Sequence, residues 1–126
     1  MHKSRLGALI IDCQTDDLQR EAQFWSAAMG APPEVPEAQQ NPRYIRLEGS
    51  AGEVPVLLQA VDHPSRVHLD IETDNIEAEV ERLESLGAEV VERLERWTVM
   101  QAPSGHRFCV IGAGRHGFDE QANVWA

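Results

Sequence analysis

Hydrophobic residues along this chain fall into two spacings, and the order of those spacings repeats. From Leu9 a short apolar run, Leu9-Ile10-Ile11, leads to Asp16-Asp17-Leu18 and then to a stretch closing on Met29-Gly30-Ala31. From Val67 the run Val67-His68-Leu69-Asp70-Ile71 leads to Asp74-Asn75-Ile76 and a second stretch closing on Leu86-Gly87-Ala88. A repeated unit of this kind predicts a duplicated architecture. Leu18, Ala22, Trp25 and Met29, and again Ile76, Val80, Leu83 and Leu86, recur at steps of three and four, which places them on one face of a helix. Each predicted helix opens on a capping pair, Asp16 with Gln19 and Asp74 with Glu77, whose side chains can satisfy orphaned backbone N–H groups. Each ends at a glycine able to take the left-handed conformation. The remaining polar positions of the second helix, Glu77, Glu79, Glu81, Arg82 and Glu84, are expected on a solvated face.

Between the helices, Pro32, Pro33, Pro36 and Pro42 confine any strand to a short edge piece, expected around Glu34 to Glu37. Tyr44 to Leu47 and Val54 to Val61 read as strands joined by a hairpin through Gly49-Ser50-Ala51-Gly52. The second repeat follows the same plan: Glu89 to Arg93, Trp97 to Ala102 and His106 to Ile111 read as strands, the last two joined by a tight turn at Pro103-Ser104-Gly105. Each half is therefore strand, helix, strand, strand, strand.

Composition narrows the setting. At 126 residues the chain suffices for one domain with one modest core. No apolar segment has the length of a membrane span and the opening Met-His-Lys-Ser-Arg has no signal-peptide pattern, so a cytoplasmic location is expected. Cys13 and Cys109 lack metal-type pairing and are expected as reduced thiols. With 21 acidic against 11 basic side chains the formal charge is −10. That charge disfavours nucleic acid and anionic membranes as partners and is compatible with a cationic ligand.

The tandem βαβββ plan resembles the glyoxalase, bleomycin-resistance and extradiol-dioxygenase superfamily, also called vicinal oxygen chelate proteins. Three stretches carry the likeness: Gly7 to Asp12 leading to Phe24-Trp25 and Gly30; Arg66-Val67-His68-Leu69-Asp70-Ile71 with its helix; and Trp97-Thr98-Val99 through Ser104-Gly105-His106-Arg107-Phe108-Cys109-Val110. It spans roughly residues 6 to 112 and implies a single α+β domain over 1–126. Its module one covers about 6–61, module two about 66–112, and a tail 113–126 follows. It further implies a curled mixed sheet around a cleft, helices outside, and a homodimer. The tail is flexible at Gly112, Gly114 and Gly117 yet ends in apolar residues, so it is expected to fold back over the sheet or dock on a partner subunit.

Strand alternation within that architecture assigns sides. Val67, Leu69 and Ile71 should pack under the helices, with Phe108 and Val110. His68, Asp70 and Glu72 should face the cleft, with Arg107 and Cys109, and Ala8, Ile10, Leu57 and Gln59 turn inward. Metal-dependent relatives take ligands from the first, fourth, fifth and eighth strands. His68 matches the fifth-strand position; Gly7 or Ala8 holds the first, Gln59 the fourth and Cys109 the eighth. One good ligand, one thiol and one amide fall short of a divalent-ion site, so neither metal nor other cofactor is expected.

The candidate chemistry centres on His68 and Asp70. Imidazole titrates near neutrality and suits acid–base work or hydrogen bonding, although a strand histidine satisfied by a neighbour is the plain alternative. Asp70 and Glu72 can share its face or lie at a solvated rim. Cys109 is a nucleophile or, more simply, a small hydrophobe. Trp97 offers a stacking wall, and Tyr44, Arg107 and Gln59 complete the ligand-binding set; Arg46 reaches the same space or is exposed. Two functions stay open: binding or sequestration of a small organic ligand of the bleomycin-resistance type, without metal, and a lyase or isomerase using His68 as acid/base or metal ligand.

Overall fold

The first helix, α1 (Leu18–Met29), forms where the apolar stripe predicts it, and its cap lies one residue further on than expected. Asp17, not Asp16, is the N-cap, accepting from the Arg20 N–H at 3.2 Å. Gly30 closes the helix with φ of 67°, in the left-handed region that a side chain resists. The second helix, α2 (Ile76–Ser85), is likewise capped by Asn75 rather than Asp74, accepting from the Ala78 N–H at 3.1 Å. Asp74 is displaced from that role because its carboxylate accepts the Lys3 N–H at 2.8 Å.

A computed structural model describes residues 1–34, 42–49 and 53–126. In chain order the further elements are β1 (His2–Gln14), β2 (Pro33–Glu34), β3 (Tyr44–Leu47), β4 (Val56–Val61), β5 (Arg66–Thr73), β6 (Glu89–Arg93), β7 (Trp97–Gln101), β8 (Arg107–Gly112), α3 (Phe118–Gln121) and β9 (Asn123–Trp125). The class is α+β with a mixed sheet, as expected, but the sheet is not strongly curled. The predicted strand at Glu34 to Glu37 survives as β2, its remainder lying outside the described residues, as does the middle of the Gly49 to Gly52 hairpin. None of the described helices is long and apolar enough to cross a membrane.

Two compact units divide the chain: Ala8–Val67, and Met1–Gly7 with His68–Ala126. In the first, strand order is β2-β3-β4-β1, with β4 parallel to β1 and β3 antiparallel to β4. Its core joins Ile11, Cys13, Leu18, Ala22, Ile45, Leu47 and Leu58, with Trp25 packed at the margin. In the second, β8 runs parallel to β5, and β7 and β6 follow antiparallel. Val80 of α2 packs there on Met100 and Val110, flanked by Phe108.

Two expectations for the second unit need correcting. Alternation predicts Leu69 and Val67 in the core, yet they are 42% and 53% exposed. For Leu69 the reason is that α2 lies over β6, β7 and β8, leaving the outer face of β5 uncovered. Glu79 was assigned to a solvated helix face, yet it is fully buried. It accepts two bonds from Arg82 and contacts His2 Nε2 at 2.8 Å. Burial alone would raise its carboxyl, but the bonds from Arg82, His2 and Ser4 outweigh that and hold it below the usual range.

The tail takes the first of its two alternatives and folds back within its own unit. β9 pairs antiparallel with the start of β1, Trp125 beside His2. The Trp125 indole donates to Ser4 Oγ at 2.8 Å, and the Arg82 guanidinium stacks 3.9 Å above its ring. Phe118 is buried with Arg5 over its ring at 5.5 Å. Phe118 is thus covered and Trp125 partly so, whereas Val124 stays 55% exposed.

Candidate functional site

Parallel pairing of β5 with β8 sets Asp70 directly beside Cys109, and His68 leaves the same face of β5 two residues earlier. The three ligand-capable atoms of His68, Asp70 and Cys109 lie within 4.8 Å of one another. His68 Nε2 stands 3.4 Å from Asp70 Oδ1, and the two side chains are only 13% and 16% exposed. Asp70 Oδ1 is buried and, among the described residues, has no hydrogen-bond partner. A carboxylate this dry lacks the solvation that an exposed one enjoys, so it favours a cationic or hydrogen-donating group on its open side.

The neighbouring positions extend this face. β7 is antiparallel to β8, placing Val99 opposite Cys109, Gln101 opposite Arg107 and Trp97 opposite Ile111. Arg107 Nε donates to Gln101 Oε1 at 3.1 Å, which steers the guanidinium along the sheet. Trp97 is 39% exposed. Val99 and Gln101 were not singled out from sequence, although the register about the Pro103-Ser104-Gly105 turn would have named both.

Glu72 has a different setting. Arg5 Nε donates to its Oε1 at 2.6 Å, Arg115 Nε lies 3.8 Å away, and the residue is 3% exposed. Arg5 also donates to Gln121 and to the carbonyls of Arg115 and His116. Glu72 therefore ties β1, β5 and the tail together, its charge met by two guanidinium groups. Asp70 is paired with the His68 imidazole, not with a permanent cation, among the described residues, so of the two carboxylates it is the one with chemistry to offer.

Tyr44 and Gln59 belong to the other unit. They are register partners on β3 and β4, and Gln59 Nε2 donates to the Tyr44 hydroxyl at 3.3 Å. Arg46, two positions on, lies 3.8 Å from Glu34. Cys13, also in that unit, is buried against α1, and desolvation, then Glu21 and Asp12, push its thiol up to about 11. Such a thiol is a packing residue with little thiolate at neutral pH. Two surface depressions, one by Thr15 and Arg43 and one by Asp74 and Phe118, contain none of the site residues named above.

A family model for the glyoxalase-like domain matches residues 8–111. The chain belongs to the glyoxalase-like domain family. Among solved structures, this glyoxalase-like domain resembles a glyoxalase/bleomycin resistance protein/dioxygenase superfamily member from Vibrio splendidus 12B01 (16% identity, 87% of this chain and 99% of that one, TM-score 0.55). It also resembles the Mn(II)-bound glyoxalase from Novosphingobium aromaticivorans (17% identity, 86% of this chain, 40% of that one, TM-score 0.57). A third is a Streptomyces coelicolor methylmalonyl-CoA epimerase variant in complex with 2-nitronate-propionyl-CoA (18% identity, 87% and 94% coverage, TM-score 0.55). At these identities the likeness establishes the fold. No curated protein matches the chain.

The metal set implied by the family does not fit this glyoxalase-like domain. Gly7 and Ala8 have no donor atom, and Gln59 offers a neutral amide already engaged with Tyr44. The four-strand set thus lacks a donor on the first strand and has only a neutral amide on the fourth. The donors that the chain does assemble, His68, Asp70 and Cys109, come from two strands of one unit.

Proposed function

We propose that this glyoxalase-like domain binds a small organic ligand over the face formed by His68, Asp70 and Cys109, with Trp97 and Arg107 alongside. The observation that carries the reading is the convergence of an imidazole, a largely buried carboxylate and a thiol within 4.8 Å on one face of the β5–β8 pair. Buried polar groups cost stability unless partnered, and a face that keeps them is suited to recognise a complementary molecule. His68 and Asp70 supply the polar anchor, Trp97 a stacking surface, and Cys109 with Val99 an apolar floor. Holding a ligand in this way uses the side chains alone and needs no ion. Glu72 supports this face by locking β5 to β1 and the tail.

A second reading, a lyase or isomerase, draws on the His68–Asp70 pair at 3.4 Å. There His68 would move a proton on the substrate, with Asp70 orienting the imidazole.

The first reading is tested by thermal unfolding of the protein with a panel of small cationic and aromatic compounds. His68→Ala is expected to abolish the ligand-induced shifts while leaving the unliganded midpoint nearly unchanged; Leu69→Ala, on the uncovered face of β5, should keep every shift. Shifts that survive His68→Ala overturn the reading. Deuterium incorporation into a bound compound in heavy water, lost in His68→Ala, would select the enzyme instead.

A further inference from the structure

Arg107 is half-buried on β8, and its Nε donates to Gln101 Oε1 at 3.1 Å. Among the described residues no carboxylate pairs with it, although the chain carries 21 acidic against 11 basic side chains. Arg66, Arg82 and Arg93, by contrast, each face an acid. We propose that Arg107 makes this face selective for a small carboxylic acid that also carries an ammonium group, the carboxylate meeting Arg107 and the ammonium meeting Asp70. This selectivity rests on the ligand-binding reading above and names the class of ligand that the face takes.

Strand register places the two charges. Gln101 is opposite Arg107 and Val99 opposite Cys109, while Asp70 is the β5 partner of Cys109. Continued by one residue, the β5–β8 register brings His68 level with Arg107. The face is therefore two rows, Gln101-Arg107-His68 and Val99-Cys109-Asp70, with the cation in one and the anion in the other. Residues two apart on a strand are about 6.7 Å apart and neighbouring strands about 4.8 Å, so Arg107 and Asp70 start from backbone positions about 8 Å apart. Cys109 and His68 occupy the other two corners.

The chemistry of each end selects its partner. Gln101 holds the Nε edge of the guanidinium, which leaves the two terminal nitrogens to donate. A planar carboxylate accepts from both at once, a geometry that a lysine's point charge cannot match. A plain anion would satisfy only half of the face. Asp70 Oδ1 is buried without a hydrogen-bond partner among the described residues, and its side chain is 16% exposed. A second negative charge beside it is unfavourable, whereas an ammonium on the same molecule neutralises it. The formal charge of −10 likewise repels a plain anion and leaves a zwitterion unopposed.

The test is an NMR-monitored titration of the full chain with three compounds of one shape: para-(aminomethyl)benzoate, para-methylbenzylamine, which lacks the carboxylate, and para-toluate, which lacks the amine. The wild type should bind the first at least about tenfold more tightly than either of the others, as two charge-assisted contacts require. Arg107→Gln should lose that advantage for para-(aminomethyl)benzoate and keep the affinity for para-methylbenzylamine within about twofold. Asp70→Asn should do the reverse, weakening the two amines and sparing para-toluate. Wild-type affinity indifferent to the carboxylate, equal binding of para-(aminomethyl)benzoate by wild type and Arg107→Gln, or no binding of it at millimolar concentration overturns the proposal. Should Arg107→Gln fail to fold, the wild-type ranking of the three compounds decides. Failure of the selectivity is separable from failure of the binding reading: if para-methylbenzylamine binds as tightly as the amino acid and His68→Ala abolishes both, the face binds ligands and the selectivity alone falls.

Discussion

The two units are built on one plan and equipped differently. Aligning their helix caps, Asp17 and Asn75, sets Ile10 against His68, Asp12 against Asp70 and Glu21 against Glu79. The strand registers agree: Asp12 pairs with Gln59 across β1 and β4 as Asp70 pairs with Cys109 across β5 and β8. In the unit of Ala8–Val67 the buried carboxylate of Asp12 faces Arg66 at 3.7 Å, a permanent cation, and its strand neighbour is an amide. In the other unit the equivalent carboxylate meets an imidazole, and its strand neighbour is a thiol. The same backbone therefore holds an arginine-paired carboxylate in one half and a carboxylate beside an imidazole and a thiol in the other. Duplication supplies the scaffold; three side chains decide which half has chemistry to offer.

The largest expected effect breaks the symmetry of the cores. Leu58 on β4 is fully buried against α1, whereas Leu69 on β5 lies on a face that α2 leaves uncovered. Leu58→Ala should cost about 2 to 5 kcal/mol of unfolding free energy, because it removes buried methyl groups and leaves a cavity. Leu69→Ala should cost less than about 1 kcal/mol, as partly exposed positions do. Equal losses in denaturant unfolding would mean that β5 is covered as β4 is.

A smaller effect sharpens the contrast between Glu21 and Glu79. Only Glu79 is buried with His2, Ser4 and Arg82, and its carboxyl is held below the ordinary value of 4.5. A carboxyl lowered on folding adds stability that is present above the unfolded pKa and is lost as pH falls through the folded one. Glu79→Gln should therefore cost about 1 to 3 kcal/mol at neutral pH, through loss of charge-assisted bonds in a buried site. That cost should shrink steadily below about pH 4.5. Urea melts of both proteins between pH 3 and 7 measure the difference, and a cost that stays constant with pH would assign it to packing instead.

How much of this was legible in the sequence follows from the range of the interactions. Helices α1 and α2 and strands β3, β6 and β7 are local patterns, and they stand within a residue or two of their expected places because stripe spacing and turn residues specify them. The cap of α2 moved by one residue because Asp74 bonds to Lys3, far away in sequence. Strand β1 reaches from His2 to Gln14, well beyond the apolar run at Leu9, because its polar first half is held by β9 and by partners such as Glu79 and Glu72. Glu79 and Leu69 were misplaced for one reason: local periodicity says which residues share a face, and only tertiary contact says what covers it. Within the site, alternation put His68, Asp70 and Cys109 on one side, whereas the adjacency of Asp70 and Cys109 required the β5–β8 register.

The smallest perturbation leaves stability untouched and compares the two thiols, one in each unit. Cys13 is buried, and with its thiol pushed up to about 11 it is about one part in a thousand ionised at pH 8, against roughly a quarter for an ordinary cysteine of pKa near 8.5. The thiolate is the nucleophile, so its alkylation should be slowed about two-hundredfold by ionisation alone, and further by the closed packing of Ile11, Leu18 and Ala22 around it. Cys109 lies on an accessible strand face with Asp70 on one side and Val99 on the other. Native protein treated with a slight excess of iodoacetamide at pH 8 should therefore gain a single adduct, and peptide mapping should place it on Cys109. Denatured protein should gain two adducts, one on each of the chain's two cysteines. Preferential modification of Cys13 in the folded protein would reverse the assignment of the two halves, making the α1 unit the one with the open, reactive face.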